Sequence, residues 1–196
     1  MSITLNGITK RFSGKTVLDD LTATLPGGVI CLSGASGCGK TTLAMIIAGL
    51  LKPDSGNISG ISGNVTVMFQ EPRLFPAFSA LENVACAAKG SSGEAEAEKL
   101  LLSLGLTADD IKKKPCELSG GMNQRVSLAR AVLFHENSGG NTVILDEPFK
   151  GLDPASKNIA AELVRSRLTP ENLLVITHDG SDADLLHGTR INFPDF

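Results

Sequence analysis

The stretch Gly34-Ala35-Ser36-Gly37-Cys38-Gly39-Lys40-Thr41 satisfies the pattern G-x-x-x-x-G-K-[ST], a spacing suited to holding a phosphate chain. Its glycines let backbone N–H groups curl around phosphate oxygens, and a helix opening directly after them adds its positive end. Lys40 is placed to reach the β- and γ-phosphates of a nucleotide, and the Thr41 hydroxyl to ligate Mg²⁺, with Thr42 closing the contact run.

Two carboxylates stand together at Asp146-Glu147, after the apolar run Thr142 to Leu145. Ligands of open parallel sheets sit beyond the carboxyl ends of the strands, so both are expected to face the phosphates. Asp146 suits the Mg²⁺ shell. Glu147 is placed to polarise an attacking water as general base. The next apolar run, Leu173 to Ile176, ends in Thr177-His178-Asp179, so His178 is expected at the same sheet edge, within reach of a γ-phosphate or the water. His135 and His187 have no such placement and read as surface or packing residues.

A second candidate cradle lies about 80 residues downstream, at Glu117-Leu118-Ser119-Gly120-Gly121-Met122-Asn123-Gln124-Arg125. Ser119 is a good N-cap for the helix described by Met122, Val126, Ala129 and Leu133. Gly120 and Gly121 leave the first N–H groups of that helix open to an anion. Taken alone, the stretch is either an ordinary capped helix or a phosphate site.

The elements that must position these residues alternate. Ile3 to Leu5 and Thr16 to Leu18 read as strands around a turn at Phe12 to Lys15, and Leu21 to Leu25 alternates before Pro26-Gly27-Gly28 ends it. Val29 to Leu32 is continuously apolar, as a strand buried on both faces would be. The helix Thr41 to Leu51 follows, closed by Lys52-Pro53-Asp54-Ser55-Gly56. With the strands at 142–145 and 173–176, this predicts an α/β fold: a P-loop core with a mostly parallel sheet and an N-terminal antiparallel β subdomain. Approximately residues 76–135 carry helical spacings and no convincing strand, and read as a helical lobe inserted in a single domain spanning 1–196. Gly90-Ser91-Ser92-Gly93 is its one flexible-looking joint, and Lys112-Lys113-Lys114 a solvated turn.

Composition narrows the class. With 196 residues, 42% hydrophobic and 20% charged, the chain is an ordinary folded domain. A net charge of −3 argues against a nucleic-acid partner. The longest apolar run, Leu43 to Leu51, falls short of a membrane span, and Met1-Ser2-Ile3-Thr4 lacks the regions of a secretion signal. A cytoplasmic protein is expected, with Cys31, Cys38, Cys86 and Cys116 as plain reduced thiols.

Taken as a set, the residues resemble the nucleotide-binding subunit of ATP-binding cassette (ABC) transporters over nearly the whole chain. GASGCGKT is similar to the family's Walker A, VILDEP to its Walker B and LSGGM to its signature motif. Gln70, in Val67 to Pro72, matches the Q-loop, Gly151-Leu152-Asp153 the D-loop, and His178 the switch histidine. The resemblance implies two such subunits packed head to tail, each ATP lying between the Walker A of one and the signature helix of the other. Ser119, Gly120 and Gly121 would then serve the partner's nucleotide. It further implies that Gln70 contacts Mg²⁺ and the lytic water, that Asp153 communicates across the dimer, and that Phe12, about 28 residues before Lys40, stacks on adenine. Phe12 stands where Tyr is common, and Met122 replaces the frequent Gln of LSGGQ.

Separate ATPase subunits are the usual arrangement of importers, and the segments Arg73 to Pro76, Leu81 to Val84 and ELSGGMNQR look most like the nitrate, sulfonate and taurine importer group. The implied partners are transmembrane permease subunits on the inner face of the cell membrane and, through them, an extracytoplasmic solute-binding protein; an exporter subunit is the alternative. The apolar residues Phe75, Pro76 and Phe78 either receive a coupling helix or pack within the lobe. With the chain ending soon after His178, the C-terminal regulatory domain of some importer ATPases is expected to be lacking. A small-molecule kinase would share GASGCGKT but has no reason to carry LSGG, LDEP and the histidine. The coiled-coil insertion of DNA-repair cassettes and the second cassette of translation-associated ones have no counterpart in the sequence.

Overall fold

The computed structural model describes residues 2–90 and 93–193, so Met1 and the Ser91-Ser92 pair of the expected joint lie outside the described residues. The fold is α/β, with one three-stranded antiparallel sheet and one five-stranded sheet containing parallel pairs. The chain forms two compact units. The first takes the residues up to Val67, Gly140–Asp146 and those from Pro170 onward; the second takes Met68–Gly139 and Glu147–Thr169.

In the first unit, β1 (Ile3–Phe12) and β2 (Lys15–Leu25) form a long hairpin. Its turn, Ser13-Gly14, has positive φ at both positions (48° and 83°), matching the right-handed twist of the flanking strands. β1 runs farther than its periodicity suggests because the register shifts beyond Leu5, where Gly7 takes φ 63°. The buried spacing changes there from two residues (Ile3, Leu5) to three (Ile8). The polar strand β4 (Ser55–Ser59), whose first two residues fall in the stretch expected to close the preceding helix, pairs with β1 through the backbone. A Cβ on its Gly56 would stand 2.4 Å from the Gly7 carbonyl oxygen, so only glycine allows this approach.

The five-stranded sheet has the order β5 (Val65–Met68), β6 (Thr142–Asp146), β7 (Asn172–Ile176), β3 (Gly28–Ser33), β8 (Thr189–Asn192). Strand β3 is parallel to both β7 and β8, and β6 to β7. The helix α1 (Lys40–Ile47) buries Leu43, Ala44, Ile46 and Ile47 in one core with Ile3, Leu5 and Ile8 of the small sheet and Ile30, Leu32, Ile144 and Leu174 of the large one. Each such leucine or isoleucine contributes roughly 1.5–3 kcal/mol by leaving water. The helix stops four residues earlier than expected. Gly49 takes φ 71°, and the Gly49 and Leu50 amides donate back to the Ile46 and Met45 carbonyls, a helix-terminating pair that needs the left-handed residue.

The second unit is helical. It holds α2 (Ala80–Ala85), capped reciprocally by Ser79 and Glu82, α3 (Gly93–Ser103), α4 (Gly120–Ser138) and α5 (Pro154–Arg167). α4 contacts α2, α3 and α5 and buries Val126, Leu128, Ala129, Val132 and Leu133. α5 was not expected from periodicity; Asp153 caps it and Pro154 occupies its first turn. No helix among the described residues is long and apolar enough to cross a membrane.

Candidate functional site

In the first unit, three parallel strands deliver their carboxyl ends to one sheet edge. Beyond β3, the loop 34–39 returns into α1. A Cβ on Gly34 would fall 2.5 Å from the Phe193 carbonyl oxygen, so no side chain fits there, and at Gly39 the positive φ calls for glycine. Gly39 takes φ 109° and caps α1 with no side chain, leaving the first N–H groups of the helix to an external acceptor. Ala35, Ser36 and Gly37 are exposed. Lys40 is only 5% exposed, and its Nζ donates to the Gly34 and Ala35 carbonyls, both at 2.8 Å, with Cys38 Sγ at 3.7 Å. The ammonium is thus folded over the loop, its charge directed at the loop's own oxygens.

Thr41 Oγ1 donates to Asp146 Oδ2 at 2.9 Å, joining the first turn of α1 to the end of the fully buried β6. One hydroxyl and one carboxylate meeting there form a hard-oxygen pair of the kind Mg²⁺ takes, together with phosphate oxygens. No group of three or more His, Cys, Asp or Glu able to hold a metal ion occurs among the described residues. His178 follows β7 and is exposed. The Thr177 hydroxyl accepts from the Asp179 amide at 3.0 Å and donates to the buried Asp182 carboxylate, which fixes the backbone on both sides of the histidine. Phe12, at the end of β1, is exposed, with Lys10 Nζ 5.6 Å from its ring centre.

In the second unit, Ser119 Oγ caps α4 by accepting from the Met122 amide at 3.2 Å. A Cβ on Gly120 would meet nothing within 4 Å, whereas one on Gly121 would lie 3.0 Å from the Gly151 carbonyl oxygen. Asp153 accepts from the Ala155 and Ser156 amides, both at 3.0 Å, and from Ser156 Oγ at 2.6 Å. The Ser156 hydroxyl is the main cause of its lowered pKa, followed by the backbone donors. Glu147 has φ 53°, and its carbonyl accepts from Gln124 Nε2 at 2.7 Å and from the Lys150 amide at 3.2 Å. Gln70 is exposed.

The ABC transporter family profile matches residues 18–150, two thirds of the chain. The chain belongs to the ABC transporter family. It is an ATP-binding cassette ATPase. The aliphatic sulfonates import ATP-binding protein of Rhodopseudomonas palustris (strain BisA53) is 38% identical over 195 residues, covering 93% of this chain and 67% of that protein. The protein of the same name from Corynebacterium glutamicum is 39% identical over 188 residues, covering 92% and 75%. Among solved structures, the ATP-binding cassette MJ0796, in a dimeric post-hydrolysis state bound to ADP and Pi, superposes with a TM-score of 0.82 at 25% identity, covering 97% of this chain and 93% of that one.

Three residues that hold parts of this cassette were given no role by the sequence, although Asn83 and Gln124 lie within the stretches Leu81 to Val84 and Glu117 to Arg125. Asn83 is wholly buried: its amide donates to the carbonyls of Phe75 (3.1 Å), Phe78 (3.2 Å) and Ser79 (3.0 Å), and its oxygen accepts from the Phe75 amide (2.7 Å). Arg130 donates to the Pro72 and Arg73 carbonyls at 2.8 and 3.1 Å, holding the segment after Gln70. Gln124 grips the Glu147 backbone. Each is a polar residue in a helical pattern, which periodicity assigns to neither core nor site. The available signal was a polar type on an otherwise buried helix face.

Proposed function

We propose that the chain is the ATP-hydrolysing subunit of an importer, working as a head-to-tail pair beneath separate transmembrane permease subunits. The observation that carries this reading is the construction at the edge of the large sheet. A glycine loop with an uncapped helix start, a buried lysine and a Thr41–Asp146 hydroxyl–carboxylate pair together suit a nucleoside triphosphate and Mg²⁺.

In this reading Gly34 to Thr42 cradle the phosphates, Lys40 turns its ammonium to the β- and γ-oxygens, and Phe12 stacks on the base. Thr41, Asp146 and Gln70 hold Mg²⁺, which supplies charge neutralisation at the transferring phosphoryl group. Glu147 takes a proton from the attacking water as the bond between the γ-phosphorus and its bridging oxygen breaks, and His178 orients the water or the γ-phosphate. Ser119, Gly120 and Gly121 present N–H groups and a hydroxyl to the partner's ATP, with Asp153 at the same junction. Closure on two ATPs and reopening after hydrolysis then drive the permease, because phosphate is contacted differently in the two states. The sulfonate importers among the relatives make a small organic anion the transported class of choice, delivered by a solute-binding protein outside the membrane.

Two substitutions test the reading. Glu147→Gln is expected to abolish steady-state ATPase activity while ATP gives a stable dimer in size-exclusion chromatography. Ser119→Arg is expected to keep ATP binding by the single subunit and to block that dimer. An undiminished ATPase rate in the first removes Glu147 as base, and unaltered dimerisation in the second removes the role in trans.

A further inference from the structure

We propose that Gln124 is a positioning residue for Glu147, holding the backbone from which the general base projects and tying that base to the helix that carries the second anion cradle. The proposal rests on the reading of Glu147 as the base.

Glu147 leaves β6 in the left-handed conformation, φ 53°, which side-chain-bearing residues occupy only when their surroundings hold them there. Its φ sets the direction in which its carboxylate is aimed. Two donors fix the peptide that follows it. The Lys150 amide closes a turn onto the Glu147 carbonyl at 3.2 Å, and Gln124 Nε2 donates to the same oxygen at the shorter distance of 2.7 Å. A carbonyl only accepts, so the Gln124 atom facing it is the amide nitrogen. Gln124 is 3% exposed, so water does not substitute for it freely.

Gln124 lies five residues beyond the cap Ser119, about 7.5 Å along the axis of α4. Gly121, on the turn between them, makes the other close approach of this helix to the chain following Glu147, at the Gly151 carbonyl. A displacement of the first turns of α4 therefore loads the Gln124 bond to the base's backbone. In the paired ATPase this gives a within-chain route from the cradle that meets the partner's nucleotide to the base of the chain's own site.

The test compares Gln124→Met, which keeps length but loses the donor, with Gln124→Glu, which keeps shape but cannot donate when ionised. Both are made in the full chain, with Glu147→Gln as a separate arm. The expected result is a kcat for ATP about tenfold lower, with KM and ATP affinity held near wild type and a lowered melting temperature, lower in Gln124→Glu than in Gln124→Met. Independently of activity, hydrogen exchange of the Lys150 amide is expected to quicken in both variants. An unchanged kcat and Lys150 exchange rate overturn the proposal. Loss of ATP affinity in step with kcat also overturns it, by assigning Gln124 to general packing. If Glu147→Gln hydrolyses ATP normally, it is the base assignment that falls.

Discussion

Replacing Asn83 by Ala removes one buried side chain and takes a hydrogen bond from four backbone groups, of which the Phe75 and Ser79 carbonyls keep the Phe78 and Asn83 amides as donors at 3.1 and 2.9 Å. Asn83 is wholly buried and supplies a side-chain acceptor for the Phe75 amide at 2.7 Å, while its own amide serves three carbonyls within 3.2 Å. Each buried group left without a partner costs about 1–3 kcal/mol, more for a donor than for a carbonyl that shares other bonds. Partial hydration of the loop brings the sum to about 3 kcal/mol. At about 2–4 °C per kcal/mol for a chain of this size, the melting temperature should fall by about 6–12 °C. Asn83→Asp is the sharper variant: it keeps one acceptor for Phe75 N–H but sets its other oxygen against three carbonyls, so it should be no more stable than Asn83→Ala. Function should follow the same loop. Phe75 and Phe78 are 50% and 40% exposed with ring centres 5.3 Å apart, an apolar pair presented by the backbone that Asn83 holds. Differential scanning fluorimetry, ATP titration, and ATPase rates with and without reconstituted permease measure the three consequences. ATP affinity should persist while permease stimulation is lost. A melting temperature within 2 °C of wild type, or an Asn83→Asp variant as stable as wild type, would refute the reasoning about the loop.

Lys40→Ala should weaken ATP binding by about 100-fold or more, since it removes a buried cation from the phosphate cradle; isothermal titration with a slowly hydrolysed analogue measures it. Asp153 has its pKa lowered by Ser156 and the backbone donors, so its capping contribution is present above the ordinary carboxylate value of 3.8 and is lost as pH falls through the lowered folded value. Melting temperature followed against pH should therefore drop less steeply on the acid side in Asp153→Ala than in wild type.

How much of this was legible depended on whether a residue's role is local. The cradle Gly34–Thr41 and the cap Ser119 were readable because both are short-range devices whose spacing is their chemistry. The apolar runs 29–32, 142–145 and 173–176 announced the buried parallel strands, since a strand covered on both faces has no alternation to hide. The edge strands β4 and β8 were not legible: Ser55-Gly56-Asn57-Ile58-Ser59 and Thr189-Arg190-Ile191-Asn192 join their sheets through backbone pairing that leaves little apolar signature. Asn83, Gln124 and Arg130 were hidden for a related reason. Their partners are backbone carbonyls 4–58 positions away in sequence, and a carbonyl is common to every residue type.

The two anion cradles differ in a way that bears on why one chain carries both. At the first, the start of α1 is joined by the Lys40 ammonium and the Thr41–Asp146 pair. At the second, the start of α4 offers amides, the small Gly120 and the Ser119 hydroxyl, and the cations nearest in sequence are Lys114 and Arg125. That guanidinium is turned to the Leu104 carbonyl at 2.7 Å and the Gly121 carbonyl at 3.4 Å, facing the body of the unit rather than the cap. A helix start alone stabilises an anion by roughly 0.3–1 kcal/mol, too little to hold a nucleotide from solution. It can, however, add selectively to a phosphate that another site already presents. In the head-to-tail pair proposed above, the second cradle would act only when a loaded first cradle is brought to it, and association would then be conditional on ATP.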